Sequence, residues 1–230
     1  MWYLFSPYYS CPGTFEKVPG SAVLHDGGKW ICGLQELGAS QRNCIAYSFG
    51  SKGDFTFESR IHYLAEQCEI HTFDPTHSTF LVPREVHDFV TYHDSFGIGS
   101  DSVVPVAHTL EVPSAPFQTK SLSSIMVELK HSQIDILKID VEGFEWEIIP
   151  ETKWADTQVG QLLIELHPHY GRKVETASRM QAMFSVLEDA GYYLASLEPV
   201  SAFNYGQVEC VFINRRWTPE KWISEEEVRK

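Results

Sequence analysis

The sequence predicts an open α/β fold: a mostly parallel seven-stranded sheet, helices on both faces, and a closing antiparallel hairpin. Three observations predict it. Apolar runs of strand length alternate with segments of helical period, as in a parallel sheet covered on both sides. Glycine or an acidic residue follows several of the strands. The last two runs stand back to back across a turn.

Residues 1–40 carry Pro12, Pro19 and several glycines, which predicts an irregular arm preceding a domain over 41–230. Asn43 to Phe49 reads as a buried first strand stopped by Gly50, and Phe55 to Gln67 places Phe57, Ile61 and Leu64 at helical spacing. Cys68 to Asp74 alternates and ends at Pro75. Phe89 to Tyr92 is a third strand. Leu122, Ile125, Met126 and Leu129 mark a helix before Ile134 to Val141, the strongest strand signal in the chain. Leu162 to Leu166 is a fifth strand closed by His167 and Pro168. Thr176 to Ala190 predicts a helix with Met180, Met183, Phe184 and Leu187 on one stripe and Gly191 as its stop. Tyr192 to Leu197 and Val208 to Asn214 form the hairpin, turning at Asn204 to Gly206, and Thr218-Pro219 opens a short Glu-rich terminal helix.

Eighteen Lys plus Arg against 31 Asp plus Glu give a net charge of −13. That balance repels a phosphate backbone and argues against nucleic acid or an anionic membrane as partner. No run approaches a membrane span. The apolar Met1 to Phe5 is broken by Ser6 and Pro7 and lacks the charged flank of a signal peptide, so the compartment stays open between cytoplasm and secretory lumen. Among five cysteines, Cys11 and Cys32 lie in the loop-rich arm and are able to bridge under oxidising conditions. Cys44, Cys68 and Cys210 sit in apolar strand runs and read as small buried hydrophobes.

In a sheet of this kind ligands bind beyond the carboxyl ends of the strands. The turn Gly50-Ser51-Lys52-Gly53 lets backbone N–H groups approach a ligand closely, although it has neither the dinucleotide nor the P-loop spacing. Asp74, after the second strand, stands where an acidic side chain accepts both hydroxyls of a nucleoside ribose. After the fourth strand come Asp140, Glu142, Gly143 and Glu145. Glu165 and His167 fall on one face of the fifth strand, which adjacent pairing brings to Asp140. These three read first as a general base, His167, oriented by Asp140 or Glu165, and second as a divalent metal site. A purely structural His-Pro strand end is the third reading. Glu142 and Glu145 are explained equally well as helix-start carboxylates favoured by the macrodipole, and Lys138 as a buried ion-pair partner. His169, Tyr170 and Arg172 are candidates for lining an acceptor pocket.

The run Leu137-Lys-Ile-Asp-Val-Glu-Gly-Phe-Glu145 is similar to the signature of FkbM-type S-adenosylmethionine-dependent methyltransferases. Tyr47 to Gly53, His71 to Thr76 and Asp26 to Trp30 resemble more narrowly the methyltransferase-like protein 24 group. The resemblance spans about Asp26 to Asn214 and implies a Rossmann-like class I methyltransferase. It implies S-adenosylmethionine as cofactor, with Gly50, Ser51 and Gly53 under its methionine and ribose portions, Lys52 in the same turn, and Asp74 on the ribose diol. His93, Asp94 or Ser95 would lie beside adenine, and Asp140 near the reacting group. Ser48 occupies a cofactor-binding position at which the FkbM pattern usually has Asp. The implied acceptor is a hydroxyl on a glycan or small-molecule alcohol. A nucleotide-dependent oxidoreductase and a binding module without turnover are the rival readings.

Overall fold

The structure is a computed structural model that describes residues 5–18, 28–104, 117–170, 173–174, 176–200 and 206–223. Seven strands build the central sheet: β1 (Cys44–Phe49), β2 (Cys68–Phe73), β3 (Val90–His93), β4 (Ile134–Ile139), β5 (Val159–Leu166), β6 (Tyr192–Pro199) and β7 (Val208–Asn214). Their spatial order is β6-β7-β5-β4-β1-β2-β3. Strands β1 to β5 pair in parallel, and β7 runs antiparallel to both β5 and β6. The fold is therefore the Rossmann-like methyltransferase type expected from the sequence. Strand order reverses between β1 and β4, so their carboxyl ends flank the topological switch point.

Among the described residues five α-helices cover the sheet: α1 (Leu34–Ser40), α2 (Thr56–Leu64), α3 (Leu122–Leu129), α4 (Glu145–Glu151) and α5 (Ala177–Asp189). Side-chain alternation along the strands sends Tyr47, Phe49, Leu162 and Ile164 to one core with α3, α4 and α5. Ala46, Leu163, Val211 and Ile213 go to the other core with α1 and α2. The stripe of α5 is buried as expected, and Thr176 caps that helix by accepting the Arg179 N–H at 3.3 Å.

The stretch expected to be an irregular arm carries regular structure. Phe15–Val18 pairs antiparallel with Lys29–Cys32, and α1 follows. Gln161 on β5 holds this hairpin down: its Oε1 accepts from Cys32 N–H and its Nε2 donates to Cys32 O, each at 2.9 Å. Cys11 and Cys32 are bridged. The expectation for Cys44 and Cys68 is corrected: they are bridged to each other, whereas Cys210 is the buried free thiol foreseen. The cause is register, since Cys44 and Cys68 are directly opposed residues at the start of neighbouring parallel strands. The Glu-rich part of the expected terminal helix lies outside the described residues, and the helix does not begin within 218–223. Residues 218–223 form a turn, in which Thr218 Oγ1 accepts from Lys221 N–H at 3.2 Å, and a bridge from Trp217 to Trp222. Residues 224–230, Asp26, Gly27, Arg172, Asn204 and Tyr205 lie outside the described residues.

Candidate active site

The first glycine turn is shaped by a backbone collision that only glycine avoids. Gly50 has φ +79°, and a Cβ placed there would stand 1.7 Å from the Asp140 carbonyl oxygen. The ends of β1 and β4 thus touch, helped by Asp140 N–H donating to Phe49 O at 3.1 Å. Lys138 Nζ donates to Gly50 O at 2.8 Å and lies 3.6 Å from Asp140 Oδ2, the ion-pair role expected of it.

Asp74 joins the same turn from β2. Its Oδ2 accepts from Lys52 N–H at 2.7 Å, and its Oδ1 accepts from Thr76 N–H at 2.9 Å and Thr76 Oγ1–H at 2.6 Å. Oδ2 carries a single bond here, which leaves it room for another donor. Ser51 is buried and Lys52 exposed. Ser48 lies two residues back inside β1, wholly enclosed and close to Glu58. After β3, Asp94 accepts from Thr79 N–H at 3.0 Å and from its hydroxyl at 2.5 Å, and Ser95 beside it is exposed.

Beyond β4 and β5 the charges converge. His167 Nε2 lies 3.9 Å from Asp140 Oδ1, 3.7 Å from Glu165 Oε1 and 3.6 Å from Glu142 Oε2. The three candidates are brought together, but the partner orienting the ring is different from the one expected. Glu145 Oε1 sits 3.1 Å from His167 Nδ1, while its oxygens accept from Val141 N–H at 2.8 Å and Gly143 N–H at 2.9 Å. A first-turn glutamate reaches back over the helix start and fixes the imidazole. Trp146 Nε1 donates to His167 O at 2.8 Å, which pins the backbone of the same residue.

Lys29, from the N-terminal hairpin, is the residue that sequence reasoning missed. Its buried ammonium lies 3.1 Å from Asp140 Oδ2, 2.6 Å from Glu165 Oε2 and 2.5 Å from Glu209 Oε1. Each of Asp140 and Glu165 therefore gives one oxygen to Lys29 and turns the other toward His167 Nε2. Burial opposes ionisation of Asp140, but Lys29, Lys138 and His167 outweigh it and hold its carboxyl below the usual carboxylate range. Burial pushes Glu209 far above that range despite Lys29, with Glu165 and Asp140 adding repulsion. Burial also works against a charged His167, yet Glu145, Asp140 and Glu165 prevail and raise it to about 10. Lys29 stands 136 and 180 residues from Glu165 and Glu209, so its neighbours in sequence carry no signal of these partners.

His169 and Tyr170 pair antiparallel with Lys173 and Val174 directly after this cluster. No helix among the described residues is long and apolar enough to cross a membrane.

Residues 1–214 match the family described as Methyltransferase domain. Over 133 residues the chain is 32% identical to the probable methyltransferase-like protein 24 of Homo sapiens, and equally to that of Rattus norvegicus. Both alignments cover 56% of this chain and 34% of the relative, so the chain spans about a third of the length of these curated relatives. Among solved structures, the Methanococcus jannaschii fibrillarin pre-rRNA processing protein is similar in fold, with TM-score 0.50 and 12% identity over 81% of this chain and 70% of that one.

Proposed function

The chain belongs to the methyltransferase-domain family and has the Rossmann-like fold of S-adenosylmethionine-dependent methyltransferases; on that premise we propose that it methylates a hydroxyl of a carbohydrate or small-molecule alcohol, with His167 as the base. The observation that carries the reading is the convergence of Gly50, Asp74, Asp140 and His167 at the switch point of the sheet. The residues fit a nucleoside cofactor in that Asp74 Oδ2 accepts from Lys52 N–H in the Gly50 turn and has capacity for a ribose hydroxyl as well. When bound, S-adenosylmethionine supplies an activated methyl group, so much of the acceleration comes from alignment.

The protein's own residues then divide the work. Gly50 to Gly53 and Asp74 bind the cofactor, with Asp94 and Ser95, which follow β3, on its adenine side. Asp140 and Glu165 turn one oxygen each toward His167, and Glu145 fixes the ring through Nδ1. An alcohol proton is held far above neutral pH, so its removal requires a base, an effect worth about 10²- to 10⁴-fold. His167 serves only after shedding its own proton. The expected result is that kcat/KM climbs with pH toward about 10. A profile flat from pH 7 to 10 gives His167 a positioning role instead.

A second reading uses the same atoms. Asp140 Oδ1, Glu165 Oε1 and His167 Nε2 are a donor set able to hold a divalent ion, which would compete with the His167 proton. Turnover that survives exhaustive chelation removes this reading. Calorimetry with S-adenosylmethionine, S-adenosylhomocysteine and NAD separates the remaining possibilities. Tight binding of NAD alone overturns the proposal in favour of an oxidoreductase. Methyl-donor binding without turnover on a glycan and alcohol library favours a binding module.

A further inference from the structure

A second cluster of metal-ligating side chains lies on the α3 side of the sheet, away from the strand ends. Glu69 and His71 alternate onto one face of β2, and His131 follows α3. His71 is three residues, about 10 Å of strand, back from Asp74. His71 Nε2 stands 2.8 Å from Glu69 Oε1, and His131 Nε2 stands 3.3 Å from the same oxygen. All three donor atoms lie within 4.8 Å of one another. Tetrahedral zinc with bonds of about 2.0 to 2.1 Å separates its ligand atoms by roughly 3.3 Å, so the cluster needs only small shifts to close on an ion.

The far side of each ring is also held. His71 Nδ1 lies 3.0 Å from His93 Nε2, and His131 Nδ1 lies 2.6 Å from the Tyr47 hydroxyl. Metal-binding imidazoles are oriented in this way, with Nε2 toward the ion and Nδ1 on a fixed outer partner. The His131 backbone is fixed as well, because Lys130 takes a left-handed conformation and His131 N–H donates to Met126 O at 2.8 Å. Two ring nitrogens facing one carboxylate oxygen, each with its opposite nitrogen anchored, make a convergent set instead of a chance contact.

We propose that Glu69, His71 and His131 form a zinc site with water as fourth ligand, clamping the loop after α3 to β2. Glu69 is half-exposed and gives the ion its entry path, while His71 and His131 are largely enclosed. Burial pulls His71 below the ordinary histidine value, so its ring is neutral and available as a ligand at neutral pH. Binding moves one proton within each ring from Nε2 to Nδ1. Each Nδ1–H then donates a hydrogen bond, to His93 Nε2 from His71 and to the Tyr47 oxygen from His131.

The test uses the full chain, stripped with chelator in the absence of thiol reductants, in a His167→Ala background that dismantles the donor set at the strand ends. Zinc chloride titrated by calorimetry is expected to bind one ion per chain. Cobalt(II) in its place is expected to give the visible absorption of a tetrahedral centre. Glu69→Gln and His131→Ala each abolish both signals, and Tyr47→Phe weakens zinc by roughly tenfold. Zinc at a hundredfold excess over Kd raises Tm by roughly 5 to 10 °C, and Glu69→Gln removes the rise. Because Glu69 is half-exposed, its variant folds even where a histidine variant does not, as circular dichroism will show. Absence of binding, several weak equivalent sites on this acidic chain, or binding unchanged by Glu69→Gln overturns the proposal.

Discussion

His167 is surrounded by carboxylates from three elements, and their charge decides its state against the opposing effect of burial. Its folded value of about 10 exceeds the ordinary 6.5, so proton binding favours the folded protein. That stabilisation is complete below pH 6.5 and is lost as pH climbs to about 10. We therefore expect Tm to fall across this window and the fall to flatten in His167→Gln, measured by thermal denaturation at constant ionic strength. A complementary split is expected in function. Asp74→Ala weakens S-adenosylhomocysteine binding by roughly 1.5 to 3 kcal/mol, the worth of a charge-assisted hydrogen bond. His167→Ala leaves that binding within a factor of a few and lowers turnover by about 10²-fold or more. The reverse pattern, read by calorimetry and initial rates, would mean the two strand ends have been given the wrong roles.

Among the elements, the N-terminal hairpin contributes most beyond expectation. It places one ammonium among Asp140, Glu165 and Glu209, which otherwise face one another across β4, β5 and β7. Lys29→Met removes that charge and leaves buried carboxylates unbalanced, a loss of roughly 3 to 5 kcal/mol that denaturant melts would register. Replacing Glu209 by Gln in the same variant should recover part of the loss, because it removes one of the buried acids left without a counter-charge. Pairing of β1 with β2 is reinforced by the Cys44–Cys68 bridge. Closing a loop across a sequence separation of 24 residues is worth roughly 3 kcal/mol. Cys44→Ser with Cys68→Ser is expected to lower stability by about that amount, and an unchanged midpoint would show that the bridge does not form.

On the scale of the whole molecule, topology and charge act together. Reversal of strand order between β1 and β4 sets their carboxyl ends at the switch point, and the net charge of the chain acts on whatever approaches it. A net charge of −13 disfavours polyanions. In a mobility-shift titration near 0.1 M salt, neither transfer RNA nor duplex DNA is expected to be retained at micromolar protein. Retention would move the acceptor class from glycans and alcohols to nucleic acid.

The alternation of apolar runs with helical stripes, and the residues standing after each strand, were legible in the sequence because they depend on neighbours a few positions apart. Gly50, Asp74, Asp140, Glu165 and His167 belong to that set. Lys29 reaches Glu165 and Glu209 across 136 and 180 residues, and Cys44 meets Cys68 only through strand register. Glu145 was visible as a helix-start residue, but its hold on His167 depends on how α4 leans against the end of β5. Local chemistry fixes which side chains stand at the mouth of a sheet, whereas pairing between distant segments decides which charges face one another there, and with that the protonation of His167.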